Sequence, residues 1–182
     1  MTEITNYRLI LDELANTLNH IKDSEAETFV SKIVESKQIF VAGKGRSGFV
    51  ANGFAMRLNQ LGKIAHVIGE STTPSISDKD LFIVISGSGS TAHLKLLTDK
   101  AQEVGAEVVL LTTKPDSDIG ERANAVIELP AGTKYDAEGS SQPLGSLFEQ
   151  ASQIFLDSIV LDLMPKLKID ETMMQQNHAN LE

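Results

Sequence analysis

The sequence contains no cysteine, no internal repeat, no low-complexity tract and no apolar run of the roughly 18 residues that a membrane helix needs. Without cysteine the chain has neither disulfides nor thiolate chemistry, which is compatible with the cytoplasmic location that we expect. Its first residues lack a basic segment followed by an apolar one, so we expect no secretory signal.

Positive charge is also scarce, because 16 Lys and Arg face 25 Asp and Glu and leave a net charge of −9. Since phosphate-backbone binding usually requires a basic face, no nucleic-acid partner is expected, and the missing apolar run argues against a membrane partner. His20, His66 and His93 have no metal-ligand spacing, so no metal is assigned. The 182 residues, 41% of them hydrophobic, fit a single domain over 1–182.

Short apolar runs alternate with helical patterns through the middle of the chain. Strands are predicted at 38–42, 64–68, 81–85, 107–111 and 125–129, with helices at 47–61, 91–104 and, more briefly, 117–123. N-terminal helices occupy about 3–36, the second with a capping box of Ser24 and Glu27, and C-terminal helices occupy about 146–178, the first ending at residue 163 before Pro165. The alternation predicts an α/β three-layer αβα sandwich, doubly wound and flavodoxin-like, on a five-stranded parallel sheet.

Two loops rich in glycine and serine follow the first and third predicted strands, and each opens a helix. Their sequences are Gly-Lys-Gly-Arg-Ser-Gly at 43–48 and Ser-Gly-Ser-Gly-Ser-Thr at 86–91. Glycines let backbone N–H groups approach an anion, hydroxyls add donors, and helix N-termini supply partial positive charge. In a flavodoxin-like order these strands are neighbours, so the loops would face one crevice and hold a phosphorylated small molecule.

The first loop does not match the nucleotide fingerprints. Its third glycine, Gly48, comes one position too early for a dinucleotide loop, and no Gly-Lys-Ser or Gly-Lys-Thr follows a four-residue spacer. Ser47 either caps the following helix or binds phosphate, and the two roles are compatible. In the second loop, Ser86, Ser88 and Thr91 could converge on one phosphate, the alternative being a flexible loop with one cap.

Glu149 and His178 are the candidate catalytic residues. Ser146 and Glu149 have capping-box spacing, so the carboxylate either bonds the start of its own helix or serves as a base beside the crevice. His178, five residues from the end, is either a solvated terminal side chain or part of a tail that docks.

These motifs together resemble the 6-phospho-3-hexuloisomerase family, whose members are single sugar-isomerase (SIS) domain enzymes of the ribulose monophosphate pathway of formaldehyde fixation. The resemblance runs essentially end to end, through residues 41–48, 54–58, 67–70, 86–91, 145–150 and 178–182. The serine loops are shared by all SIS domains. The Gly-Arg-Ser-Gly element and the His-Ala-Asn-Leu-Glu tail are more specific to this family.

The resemblance implies interconversion of 3-hexulose 6-phosphate (D-arabino-hex-3-ulose 6-phosphate) and fructose 6-phosphate through a cis-enediol, without a metal or cofactor. It implies Glu149 as the base and His178 as a residue brought in from a neighbouring subunit, in an assembly expected to be a homotetramer. The implied substrate and phosphate ligands are Gly45, Arg46, Ser47, Ser86, Ser88 and Thr91. The implied functional partner is 3-hexulose-6-phosphate synthase.

Two positions depart from the family pattern. Ser90 stands where the family usually has glutamate, and Lys44 stands where it usually has a small residue. Two other functions stay open. One is another SIS sugar-phosphate isomerase, such as one acting on arabinose 5-phosphate, and the other is a non-catalytic sugar-phosphate sensor. The absence of an attached basic DNA-binding module counts against the sensor.

Overall fold

A parallel five-stranded sheet forms the centre of the protein, as the sequence predicts. The computed structural model describes residues 5–132 and 140–181. The strands are β1 (Ile39–Gly43), β2 (Ala65–Val67), β3 (Leu81–Ile85), β4 (Glu107–Thr112) and β5 (Ala125–Glu128). Their order is β2-β1-β3-β4-β5, which is the predicted flavodoxin-like order.

Helices cover both faces of this sheet. They are α1 (Asn6–Leu18), α2 (Asp23–Glu35), α3 (Arg46–Gln60), α4 (Ala92–Glu103), α5 (Ser146–Leu167) and α6 (Glu171–Gln176). Successive strand residues point to opposite faces, so Ile39 and Val41 pack with α1, α2, α3 and α5, whereas Phe40 and Ala42 pack with α4. The α/β three-layer sandwich is thereby confirmed. The start predicted for the first helix, at residues 3–4, lies outside the described residues.

Two predicted helix ends are wrong. Helix α2 begins at Asp23, and its N-cap is Lys22 with no side-chain cap bond, so Ser24 lies inside the helix and forms no capping box. The acidic Asp23 and Glu25 suit this first turn because they face the positive end of the helix dipole. Helix α5 passes Pro165 and ends at Leu167. The proline lies in the exposed last turn, where water can satisfy the carbonyl left without an N–H partner.

The short helix predicted at 117–123 is also wrong, because these residues form turns. A Cβ at Gly120 would lie 1.9 Å from the carbonyl oxygen of Pro115, which shows how tightly the segment folds on itself. The backbone N–H of Ile119 donates to the carbonyl of Gly89 at 2.9 Å. The segment therefore supports the loop that follows β3.

The sheet topology decides where the two glycine-serine loops lie. Strands β1 and β3 are adjacent and end in register, with Gly43 opposite Ile85. The loops at 43–48 and 86–91 therefore leave the same edge of the sheet side by side. Ligands of doubly wound folds bind at this edge, where the strand order reverses. In the described part of the chain no helix is long and apolar enough to cross a membrane.

Candidate functional site

A cavity of about 160 Å³ lies at this edge of the sheet, between the two glycine-serine loops and the start of α5. Its lining includes Lys44 and Ser47 from the first loop and Glu149 from α5. The second loop contributes Ser86, Gly87, Ser88 and Thr91. We call it the serine cavity. The structure thus brings together the predicted serine and threonine ligands and one of the two predicted catalytic residues.

The first loop lies against the sheet because of its glycines. A Cβ at Gly43 would be 2.5 Å from the carbonyl oxygen of Ser47, so only glycine lets the first turn of α3 pack so closely on β1. Gly45 is the N-cap of α3 and has φ 59° and ψ −134°, a conformation open mainly to glycine. The close approach leaves Ser47 buried and facing the cavity.

The second loop is held by its neighbours as well as by its own bonds. Gly89 has φ 59°, and a Cβ there would collide with Ser117 at 1.9 Å. Within the loop, the Ser86 and Thr91 hydroxyl oxygens are 3.4 Å apart, and Ser88 Oγ accepts a bond from the N–H of Ser90. These are long contacts, so the hydroxyls are weakly engaged and available to a ligand.

Both helices that follow the loops start without a side-chain cap. Gly45 at the N-cap of α3 has no side-chain group to offer, and Thr91 at the N-cap of α4 makes no side-chain cap bond. The first N–H groups of an α-helix have no partner inside the helix. Two uncapped helix N-termini therefore meet at the serine cavity, an arrangement that favours a phosphate.

Glu149 does not form the capping box that its spacing suggested. The N-cap of α5 is Gly145, in the left-handed conformation with φ 79°, and no side-chain cap bond is made. The Ser146 hydroxyl instead donates to the carbonyl of Pro143 at 2.7 Å. Glu149 Oε2 lies 3.0 Å from Arg46 Nη1, and the Glu149 side chain is only 15% exposed. The carboxylate is therefore turned toward the loop that follows β1.

Two opposing effects act on the pKa of Glu149. Burial raises it above the ordinary value of 4.5, and the positive charge of Arg46 partly offsets that rise, so the pKa ends above its usual value. Although it is close to Arg46, Glu149 Oε2 is buried and makes no hydrogen bond to any residue that the structure describes. A carboxylate with a raised pKa at the edge of a cavity is suited to proton transfer.

The second predicted catalytic residue, His178, does not lie beside Glu149 within the chain. The side chain of its neighbour Asn177 donates to the carbonyl of Gln60 at 3.0 Å, and Gln60 is the last residue of α3. The serine cavity lies at the first turn of this 15-residue helix, so roughly 20 Å of helix separates the two places. His178 Nδ1 contacts the carbonyl of Ala179.

Sequence reasoning missed the apolar wall of the cavity. Leu144 and Phe148 line it on the α5 side, and Leu144 is exposed with φ 59°, a left-handed conformation rare for leucine. Phe148 packs on Gly87, where a Cβ would approach its ring to 3.2 Å. The run of Pro143, Leu144 and Gly145 signals a tight turn before α5, but it does not indicate what that turn faces.

A second, more open depression lies on the other side of Glu149, between α3 and α5. Its volume is about 410 Å³. Its lining consists of Leu14, Arg46, Phe49, Val50, Glu149, Gln150, Gln153 and Ile154. We call it the α3–α5 groove. Glu149 therefore lies between the two depressions and lines both.

The described residues include no group of three or more His, Asp or Glu arranged to hold a metal ion. The polar side chains among the described residues that line the serine cavity are hydroxyls, one lysine and one carboxylate, a set that suits an anionic, hydroxylated ligand. Lys44 lines the serine cavity, whereas Ser90 is exposed and does not line it.

The sequence of this chain is similar to those of known enzymes. The SIS domain family matches residues 32–153. A protein of Bacillus subtilis (strain 168) named 3-hexulose-6-phosphate isomerase is 44% identical over 176 residues, which cover 95% of each chain. A protein of the same name from Mycobacterium gastri is 37% identical over 179 residues, covering 97% of this chain and 90% of the relative.

Solved structures agree with this match. A hypothetical protein superposes with a TM-score of 0.90 at 34% identity and 98% coverage of both chains. A protein from Methanococcus jannaschii, for which a molecular function of 3-hexulose-6-phosphate isomerase is inferred, superposes with a TM-score of 0.86 at 30% identity. That match covers 98% of this chain and 100% of the neighbour.

Proposed function

The chain belongs to the 3-hexulose-6-phosphate isomerases of the SIS domain family, and we propose that Glu149 catalyses its reaction at the serine cavity. The reaction interconverts 3-hexulose 6-phosphate and fructose 6-phosphate. The observation that carries the proposal is that both glycine-serine loops and Glu149 line one cavity. The pairing of an anion cradle with one buried carboxylate suits a phosphorylated ketose that must exchange a proton between neighbouring carbons.

The phosphate end of the substrate binds between the two loops in this proposal. Ser47, Ser86, Ser88 and Thr91 supply hydroxyls, and the uncapped N-termini of α3 and α4 supply backbone N–H groups. Gly45 contributes to the same set as the N-cap of α3, whereas Arg46, which the sequence placed among these ligands, lines the α3–α5 groove and not this cavity. Lys44, which lines the same cavity, adds a cation near the anion. Holding the phosphate far from the reacting carbons fixes the open chain and converts binding energy into position.

Glu149 performs the carbon chemistry. In the direction of fructose 6-phosphate, the carboxylate removes the proton from C2 of the 3-ketose, and C2 and C3 become the double bond of a cis-enediol. The same carboxylate then returns the proton to C3 on the same face, while a proton moves between the two oxygens and leaves the carbonyl at C2. His178 or a water molecule serves the oxygens. No oxidant, reductant or metal is needed for this balance.

The central experiment replaces Glu149 with glutamine. Glu149→Gln keeps the shape of the side chain and removes the base, so turnover should fall by about 10²–10⁴-fold. Glu27→Gln, at an exposed position on α2, is the matched control and should keep normal turnover. The measurement is the rate of fructose 6-phosphate formation from 3-hexulose 6-phosphate. Near-normal turnover in Glu149→Gln would refute the assignment of the base.

A second pair of variants tests the phosphate cradle. Ser88→Ala removes a hydroxyl from the cavity, whereas Ser90→Ala removes an exposed hydroxyl two residues further on in the same loop. Because a hydrogen bond to a charged group contributes about 1.5–3 kcal/mol, the KM of Ser88→Ala should rise by about tenfold or more. The KM of Ser90→Ala should stay the same. Equal KM values in the two variants would remove Ser88 from the phosphate site.

We also propose that His178 acts in the site of a neighbouring subunit within a homotetramer. Two observations support this. His178 lies at the far end of α3 from the cavity of its own chain, and the α3–α5 groove beside Glu149 carries the exposed apolar side chains Phe49 and Ile154. A second copy seated on this groove would cover those side chains and bring a histidine toward the carboxylate.

Mixed assemblies test this arrangement. Glu149→Gln and His178→Ala should each have little activity alone. When the two variants are mixed and refolded together, subunits pair at random, and about a quarter of the sites contain both native residues. The activity of the mixture should therefore recover to about a quarter of the wild-type activity. Absence of recovery in mixtures that assemble to the normal mass by light scattering would exclude a site shared in this way.

Assays distinguish this function from the two alternatives, an arabinose 5-phosphate isomerase and a non-catalytic sugar-phosphate sensor. The named relatives at 37–44% identity favour the hexulose substrate over arabinose 5-phosphate, and parallel assays with both sugars compare them directly. A sensor would bind substrate without exchanging the C2 or C3 hydrogen with solvent.

We further propose that the whole chain acts as one domain in the cytoplasm, on the product of 3-hexulose-6-phosphate synthase, in formaldehyde fixation.

A further inference from the structure

We propose that Arg46 is a positioning residue that acts on the reaction through Glu149, by holding the carboxylate between the two depressions and joining the first loop to α5. The inference rests on the proposed function, because it takes Glu149 as the base. Sequence reasoning placed Arg46 among the substrate ligands. Its contacts in the structure favour a different role.

The guanidinium group of Arg46 contacts α5 at two points. Nη1 donates to Ser146 Oγ at 2.8 Å and lies 3.0 Å from Glu149 Oε2. The side chain lines the α3–α5 groove and is absent from the lining of the serine cavity. Arg46 therefore approaches the carboxylate from the side opposite the hydroxyls that would hold the phosphate.

The contact with Glu149 supplies charge without a hydrogen bond. Nη1 is close enough for an ion pair, yet Oε2 accepts no hydrogen bond from any described residue. The nitrogen directs its bond to Ser146, which in turn donates to the carbonyl of Pro143. A cation therefore stands beside the carboxylate on the groove side without taking up Oε2 in a hydrogen bond.

Few charged groups surround Glu149 among the described residues, so the effect of Arg46 on its pKa can be distinguished from that of its neighbours. Among the described residues that line the two depressions, Lys44 and Arg46 are the cations and Glu149 is the carboxylate. Arg46 is the cation whose charge lowers the pKa of Glu149 against the rise caused by burial. Loss of Arg46 leaves burial unopposed, so the pKa should rise further and a smaller fraction of the base should be ionised near neutral pH.

The proposal is tested by Arg46→Gln and Arg46→Lys, with Arg8→Gln, an exposed position on α1, as the control. In Arg46→Gln the acid limb of the kcat/KM profile should move to higher pH, and kcat at neutral pH should fall at least tenfold with KM little changed. Arg46→Lys keeps the charge and should leave the limb near its original pH. Arg8→Gln should change neither quantity. Carbon NMR titration of the labelled Glu149 carboxyl should show the same upward shift in Arg46→Gln without any turnover.

Two results would overturn the role of Arg46. One is a higher KM in Arg46→Gln with an unmoved acid limb, which would make Arg46 a substrate ligand. The other is an unchanged NMR titration of Glu149. The double variant Arg46→Gln/Glu149→Gln should be no slower than Glu149→Gln alone, because Arg46 then has no carboxylate to act on. Normal turnover in Glu149→Gln would refute the proposed base instead, and so the two failures are distinguishable.

Discussion

At the scale of single residues, the chemical behaviour of Glu149 is set by the groups that surround its carboxylate. An isolated glutamate would be ionised at any physiological pH and fully hydrated. Here the side chain is 15% exposed, is in contact with one cation and has one oxygen without a hydrogen bond to any described residue. These features make the carboxylate a stronger base than a surface glutamate.

This environment predicts the pH dependence of the reaction. The pKa of Glu149 is raised above 4.5 because burial penalises the charge more than Arg46 stabilises it. The base must be ionised, so activity should be present above the raised pKa and lost as the pH falls through it. The acid limb of kcat/KM, measured on the wild type, should therefore lie above pH 4.5 and disappear in Glu149→Gln. A limb at or below that pH would contradict the predicted shift.

Leu144 is the second residue whose conformation invites a test. It has φ 59°, is 75% exposed and lines the serine cavity. The strain of its left-handed backbone is therefore not offset by burial of its side chain. Leu144→Gly should raise the free energy of unfolding by roughly 0.5–1 kcal/mol, the relief of left-handed strain less the added freedom of the unfolded chain. The same variant should lower kcat/KM, because the cavity loses an apolar wall.

Leu144→Ala separates strain from side-chain loss. Alanine keeps a Cβ in the left-handed region, so this variant should lose activity without gaining stability. Urea unfolding of both variants beside the wild type gives the comparison. Equal stabilities for the glycine and alanine variants would show that the backbone conformation at this position carries no strain.

At the scale of elements, the first turn of α3 depends on how closely it packs on β1. The approach is possible because Gly43 has no side chain, and it brings Ser47 and the uncapped N–H groups of α3 to the cavity. The same small residue that permits the packing therefore also positions the anion cradle.

Two glycines of this region should respond differently to alanine. In Gly43→Ala the new Cβ would lie 2.5 Å from backbone, so the strand and helix must separate, and the free energy of unfolding should fall by about 1–3 kcal/mol. Gly53 lies inside α3, where the nearest atom to a new Cβ is 3.8 Å away. Gly53→Ala should be stabilising by about 0.5–1 kcal/mol. Chemical denaturation measures both, and equal effects would contradict the packing argument.

At the scale of the whole molecule, Glu13 joins the N-terminal helix to the segment that precedes α5. Its carboxylate accepts bonds from Ser140 Oγ, from the backbone N–H of Ser141 at 2.7 Å and from Gln142 Nε2 at 2.9 Å. Leu144 follows this segment by two residues, and Glu149 follows it by seven, in the first turn of α5. Helix α1 therefore helps to place the wall of the cavity, although it is far from the cavity in sequence.

Glu13→Gln tests this connection. Burial raises the pKa of Glu13, but the three hydrogen-bonding neighbours together outweigh it and leave the pKa below 4.5. A lowered pKa stabilises the fold above the unfolded-state value, and that contribution is lost as the pH falls through the folded-state value. At pH 7 the variant should be less stable by about 1 kcal/mol or less, because the cluster is partly open to solvent. The difference between variant and wild type, from thermal unfolding, should shrink on acidification, and a constant difference would contradict the ionic contribution.

The order of the elements, the parallel sheet and the positions of the two glycine-serine loops followed from the sequence alone. Buried parallel strands are short apolar runs, and glycine and serine at a strand-to-helix junction limit what the backbone can do there. These are local properties, written in a few consecutive residues. The ends of the helices were predicted less accurately. Whether α5 continues past Pro165, and whether 117–123 forms a helix or turns, depends on which backbone groups contact solvent or another loop.

The tertiary structure alone decided how Glu149 is used. Its spacing from Ser146 allowed either a capping box or a base beside the crevice, yet Gly145 is the N-cap and the carboxylate faces Arg46, which is 103 residues earlier in the chain. Capping boxes are read from four consecutive residues, whereas an ion pair between distant residues forms only when the sheet sets α3 beside α5. The sequence determined which groups this protein carries to the crevice, and packing determined which of them touch.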